Sequence, residues 1–131
     1  MFDEYRQFYR KESDVDAARN FLKERIERNE SEIFYTKNDD GSMTGFVQLY
    51  PIFSSARMKR KWLLNDLYVR KPFRGKGFGV ALIERAKQLG RETGAHSLAL
   101  ETEKTNTIGN SLYVKTGFEQ SSDWNFYDYT L

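Results

Sequence analysis

Between Trp62 and Glu92 an apolar run, Trp62–Val69, leads into Arg74-Gly75-Lys76-Gly77-Phe78-Gly79, and then into a segment with Leu82, Ile83, Ala86 and Leu89 on one helical face. The spacing predicts a strand, a glycine-rich turn and a helix from about Gly77 to Glu92, with Gly94 placed as the glycine past its end. This order constrains the fold strongly. A strand that turns through glycines into an amphipathic helix must lay that helix back on a sheet, which makes the domain a mixed α/β one. The turn is also an anion site by its chemistry. Glycines let the backbone come close to a ligand, because no Cβ stands in the way. A helix N-terminus presents unpaired N–H groups and roughly half a positive charge. Arg74 and Lys76 add cationic donors, and a diphosphate suits such a place.

The remaining elements follow from periodicity and turn chemistry. Phe2, Tyr5 and Phe8/Tyr9 recur at helical spacing. Ser13–Asp16 reads as a capping box opening a second helix with Val15, Ala18, Leu22 and Ile26 on one face. Ile33–Thr36 is a short strand, Asp39–Ser42 a hairpin turn, and Met43–Tyr50 the partner strand, ended by Pro51. Phe53–Lys61 reads as a polar, basic loop. Ser97–Glu101 is a strand, Asn106–Lys115 a short helix, and Trp124–Leu131 alternates as a final strand. No linker interrupts residues 1–131, so one domain is expected.

Composition removes several chemistries. There is no cysteine, which excludes disulfide frameworks, thiolate metal sites and thiol catalysis. His96 is the sole histidine and cannot build a His-based metal site with partners of its own kind. No metal is therefore expected. A formal net charge of +2 argues against a dedicated nucleic-acid binder. The charged, aromatic N-terminus is neither a signal peptide nor a membrane span, so the expected location is the cytoplasm.

Phosphate loops differ in spacing. A P-loop needs G-x-x-x-x-G-K-[ST], which does not follow from Lys76, and Gly75-x-Gly77-x-Gly79 is not the dinucleotide pattern. R-x-x-G-x-G, a few residues after a strand, does fit. It resembles the pyrophosphate-binding signature of the GNAT acyl-CoA N-acyltransferases. A second stretch, Asn106-Thr-Ile-Gly-Asn-Ser-Leu-Tyr113-Val-Lys-Thr-Gly117-Phe118, is similar to that family's later motif N-x-x-A-x-x-L-Y-x-x-x-G-F, with Gly109 where alanine is usual. The resemblance implies the GNAT fold: a central, mostly antiparallel sheet splayed between two parallel strands and flanked by helices. The family begins with a strand before its first helix. Here Met1 runs straight into that helix, which implies a truncated chain or a shortened first edge.

The resemblance also implies roles. Acetyl-CoA would be the co-substrate. Gly75, Gly77, Phe78 and Gly79, with Arg74 and Lys76, would hold its diphosphate. The strand at Leu67 and Val69 would splay from its neighbour and pair through its backbone with the pantetheine arm. Asn106 reads either as a contact to that arm or as a helix N-cap, and Lys115 either as a phosphate contact or as a solvated lysine. Tyr113 matches the general acid that protonates the departing thiolate. A phenol giving its proton to a thiolate works uphill by ~1.5 pKa units, about 2 kcal/mol. An alkyl amine acceptor near pKa 10.4 is neutral in about one molecule in 2,500 at pH 7, a cost of roughly 4.6 kcal/mol unless a base removes the proton. Some relatives carry Glu-Asp where this chain has Asn65-Asp66. Asn65 cannot be a base. Asp66 reads either as that base or as a hydrogen-bonded structural carboxylate, and strand alternation should leave one of the pair facing the acceptor.

The resemblance implies an N-acetyltransferase acting on a primary amine: a small amino compound, a polyamine, or a protein lysine or N-terminus. A non-catalytic acyl-CoA sensor is the alternative, opposed by the presence of Tyr113. A nucleic-acid module built on Arg57-Met-Lys-Arg-Lys61 is weaker, because that run is short. The aromatic C-terminal stretch predicts a homodimer through strand pairing.

Overall fold

In the computed structural model, residues 1–123 and 125–131 are described, and they fall into two compact units, Met1–Glu101 and Thr102–Leu131. The first contains helices α1 (Phe2–Phe8), α2 (Val15–Glu27) and α3 (Phe78–Glu92), and strands β1 (Glu32–Lys37), β2 (Met43–Ser54), β3 (Lys59–Val69) and β4 (Ser97–Ala99). The second contains α4 (Thr107–Lys115).

The sheet order is β1-β2-β3-β4, with β1, β2 and β3 antiparallel and β4 parallel to β3. The mostly antiparallel sheet with one parallel join is the expected fold class. Its two faces are served by different helices. On one face Val47, Leu49, Leu64, Leu82, Ile83 and Ala86 are buried under α3. Gly45 lets α3 approach here: a Cβ would lie 2.6 Å from the Tyr68 carbonyl oxygen and 3.3 Å from Leu82. On the other face Phe2 and Tyr5 of α1 pack edge-on against Phe46, at 6.1 and 5.8 Å. Burial of each large aliphatic side chain stabilises the fold by about 1.5–3 kcal/mol.

Several local expectations change. β2 does not stop at Pro51 but continues to Ser54, and residues 55–58 turn into β3, so the expected basic loop is the tip of a hairpin. Pro51 is tolerated because β1 ends opposite Leu49, leaving no neighbour on that side to need its missing N–H. Arg60 lies over Trp62 and Phe53, at 5.2 and 5.3 Å, so part of the basic run covers aromatic rings. The second helix is capped by Asp14, whose side chain accepts from Ala17 N at 2.9 Å. Ser13 is taken elsewhere, donating to Asp3 at 2.7 Å. The face of α2 is also rotated: Ala18 is buried, whereas Val15 and Ile26 are exposed, because Phe21 stacks on Phe2 at 5.8 Å and draws the contact stripe toward itself.

In the second unit the expected final strand does not form over residues 125–131, and Trp124 lies outside the described residues. Phe126, Tyr127 and Tyr129 are exposed. Alternation makes a segment fit for a sheet, but only a partner edge makes it a strand.

Candidate active site

The glycine turn occupies the expected place. β3 ends at Val69, a short 3₁₀ turn spans Lys71–Phe73, and α3 starts at Phe78 behind Gly77. Gly75 and Gly77 have φ of +75° and +88°, which L side chains rarely adopt, and a Cβ on either would meet nothing within 4 Å. Backbone conformation, not crowding, therefore requires glycine here. The first bond of α3 runs from Ala81 N to Gly77 O at 3.0 Å, and among the described residues no side chain caps the helix. The amides of Phe78, Gly79 and Val80 are thus the unpaired donors at the positive end of a 15-residue helix.

Aromatic rings hold both cations of the turn. Arg74 lies over Phe8 and Tyr68, at 5.7 and 5.9 Å, and its Nε donates to the Val69 carbonyl at 2.9 Å. Lys76 lies over Phe73 at 5.7 Å. Arg70, just before the turn, makes a two-pronged bond to Glu4, at 2.8 and 2.5 Å, that ties α1 to the end of β3.

The splay of the sheet is visible in its pairing. β4 pairs with β3 only from Lys61 to Leu63, so Leu64–Val69 run on without that neighbour. Leu67 and Val69 therefore sit on the open edge of β3.

At the middle of β3 the register shifts. Gln48 pairs with Asp66 and Leu49 with Leu64, leaving Asn65 as the extra residue of a bulge. Leu64 and Leu67 consequently share the α3 face with Leu49 and Val47, while Asp66 and Tyr68 face α1 with Gln48 and Phe46. The bulge also corrects the expected alternation. Asn65 is exposed and Asp66 buried, yet Asn65 Nδ2 reaches Asp66 Oδ1 at 3.0 Å. Gln48 Nε2 donates to Asp66 Oδ2 at 2.5 Å and to the Tyr50 hydroxyl at 3.0 Å. Burial raises the Asp66 pKa above the ordinary carboxylate value, while hydrogen bonds from Gln48, Tyr5 and Asn65 pull it down. Tyr50 is pushed up to about 12, first by burial and then by the Asp66 charge.

Gln48 went unnoticed in the sequence, although its signal was there: one amide inside the apolar run Phe46-Val47-Gln48-Leu49-Tyr50.

In the second unit Asn106 is the N-cap of α4. Its Oδ1 accepts from Gly109 N at 3.0 Å and its Nδ2 donates to Thr102 at 3.0 Å. Gly109 now has a local reason, since a Cβ there would stand 2.5 Å from Asn106 Nδ2. Tyr113 is half-buried, its ring edge-on to Phe118 at 5.9 Å, and Lys115 is exposed in the last turn. Among the described residues no cluster of three or more His, Cys, Asp or Glu is placed to hold a metal ion, and no helix is long and apolar enough to cross a membrane.

The chain is similar to known proteins in family and fold. The family model "Acetyltransferase (GNAT) family" matches residues 1–118. An uncharacterized N-acetyltransferase, YhfO, of Bacillus subtilis (strain 168) is 44% identical over 131 residues, covering 100% of this chain and 86% of that protein. A probable acetyltransferase of Haemophilus influenzae is 32% identical over 101 residues, covering 77% and 69%. The crystal structure of a probable acetyltransferase superposes with a TM-score of 0.94 at 36% identity, covering 99% of this chain and 87% of that one.

Proposed function

The chain belongs to the GNAT acetyltransferase family and is an acetyl-CoA-dependent N-acetyltransferase, and we propose that it carries the acetyl group directly to a primary amine: a small amino compound, a polyamine, or a protein lysine or N-terminus. The observation that carries the cofactor half of this reading is the uncapped N-terminus of α3 behind two positive-φ glycines. Residues 1–131 are taken as one acetyltransferase domain.

Acetyl-CoA, when bound, supplies an activated acetyl thioester. The protein's residues do the rest. The amides of Phe78 and Gly79, made accessible by Gly75 and Gly77, bind the diphosphate with Arg74 and Lys76. The open edge of β3 at Leu67 and Val69 takes the pantetheine amides. Val69's carbonyl already accepts from Arg74, but a carbonyl has a second lone pair. Asp66, its pKa raised by burial, receives the acceptor's proton, directly or through water. Tyr113 returns a proton to the departing thiolate. Asn106 and Lys115 contact the CoA arm and phosphates.

Relatives are named for L-ornithine and streptothricin, and a structural neighbour is named for aminoglycosides. An acceptor panel of L-ornithine, streptothricin, sisomicin, spermidine and a peptide with a free N-terminus covers the class, with CoA thiol release as the readout. Binding is tested by melting temperature. Acetyl-CoA should raise it, and dephosphorylated pantetheine should do so far less. Stabilisation by NAD or ATP and not by CoA contradicts the reading.

The enzyme is further proposed to be cytoplasmic and to form a homodimer, the dimer being supported by the exposed aromatics Phe126, Tyr127 and Tyr129. A sedimentation mass of one chain at micromolar concentration rules the dimer out.

A further inference from the structure

Gln48 is fully buried on the face of β2 that meets Asp66. A buried amide left unpartnered destabilises a fold by about 1–3 kcal/mol, so the bonds that Gln48 makes matter to the fold. Both protons of its Nε2 are committed, one to Asp66 Oδ2 at 2.5 Å and the other to the Tyr50 hydroxyl at 3.0 Å. Its Oε1 is buried with no partner among the described residues, so the side chain is anchored through its donors alone. Asn65 Nδ2 holds the other carboxylate oxygen at 3.0 Å. An amide on each oxygen sets the orientation of the carboxylate. The Tyr50 oxygen accepts from Gln48, which leaves the phenol's own proton to be donated elsewhere.

We infer that Gln48 is a positioning residue, whose single NH2 group ties the Asp66 carboxylate to the Tyr50 hydroxyl, so that the proton acceptor is held in one orientation by a buried hydrogen-bonded unit. The inference rests on the reading of Asp66 as the base. Gln48 acts through the Asp66 carboxylate and not on the substrate. It acts by orientation, and, because it donates, by favouring the carboxylate over the carboxylic acid. The other titratable or charged groups around this unit are Tyr5 from α1, which also bonds Asp66, and Arg25 from α2, whose charge acts on Tyr50.

The test uses protein labelled with 13C at the aspartate carboxyl carbons, with the Asp66 signal assigned by its loss in Asp66→Asn. Gln48→Met keeps the length of the side chain and removes both donors. The Asp66 titration midpoint should move to higher pH, and the acid limb of kcat/KM for the fastest amine of the panel should move up with it. A folded Gln48→Met protein with an unmoved midpoint overturns the inference, because the Asp66 carboxylate would then owe nothing to the donors of Gln48. Should that variant fail to fold, Tyr50→Phe decides. It removes the hydroxyl that anchors the Gln48 amide beside Asp66, so the Asp66 midpoint should again move to higher pH, and an unmoved midpoint overturns the inference. If the midpoint moves but Asp66→Asn leaves the acid limb intact, Asp66 is not the base, while its anchoring by Gln48 stands.

Discussion

Gly77→Ala separates what the turn does for the fold from what it does for the ligand. Gly77 sits at φ +88°, and an added Cβ would meet nothing within 4 Å. The fold therefore loses only the backbone cost of a left-handed alanine, about 1–2 kcal/mol. With an unfolding entropy near 2.1 cal/mol/K per residue, that is a fall in Tm of about 4–7 °C for a chain of 131 residues. Gly41, at φ +83° in the β1–β2 turn and equally free of contacts, is the matched control. Both variants should melt lower by the same few degrees. Only Gly77→Ala should lose the stabilisation by acetyl-CoA, since its methyl group fills the space a diphosphate needs beside the α3 amides. Calorimetric melts with and without acetyl-CoA, backed by titration calorimetry, measure both effects. Parent-like affinity in Gly77→Ala refutes the backbone cradle, and a fall in Tm far beyond that of Gly41→Ala refutes the claim that the site is sterically open.

Tyr113→Phe keeps the ring against Phe118 and deletes the donor, so CoA affinity should hold while kcat falls roughly 10²–10⁴-fold; a parent rate in stopped-flow thiol release returns Tyr113 to a packing role. Asp3 is held below the ordinary carboxylate value by the Ser13 hydroxyl and the Asp14 amide, then by Gln7 and Arg6, against its own burial. A lowered pKa stabilises above the unfolded value and is lost as pH falls through the folded one. The Tm gap between parent and Asp3→Asn should therefore be wide at neutral pH and close in acid, and a gap constant with pH contradicts this account of the α1–α2 junction. Gly45→Ala should destabilise strongly, because its Cβ would lie 2.6 Å from the backbone oxygen of Tyr68; denaturant unfolding with a parent-like midpoint is the contrary result.

What the sequence made legible, and what it hid, divides by range. The glycine turn could be read because positive φ demands glycine at Gly75 and Gly77, a demand local to those residues. The cap reading of Asn106, one of the two it allowed, is equally local, since its side chain bonds an amide only three residues on. The Asn65 bulge could not, because it exists only in the register between β2 and β3, and with it went the neighbourhood of Asp66 and the role of Gln48. Pro51 suggested an end that β2 does not have, since whether a proline stops a strand depends on whether a neighbour lies beside it. Ser13 looked like a cap until a residue ten positions away claimed its hydroxyl.

The central claim is direct acetyl transfer to an amine. Acetyl-CoA labelled in its acetyl group is mixed with the protein and each amine of the panel, and the small molecules and the intact protein are weighed by mass spectrometry. The account predicts label on the nitrogen of at least one amine, in step with CoA release, and an unmodified protein. Bound acetyl-CoA with no labelled amine would make the chain an acyl-CoA-binding protein, and label held covalently on the protein before it reaches the amine would replace direct transfer with a two-step route.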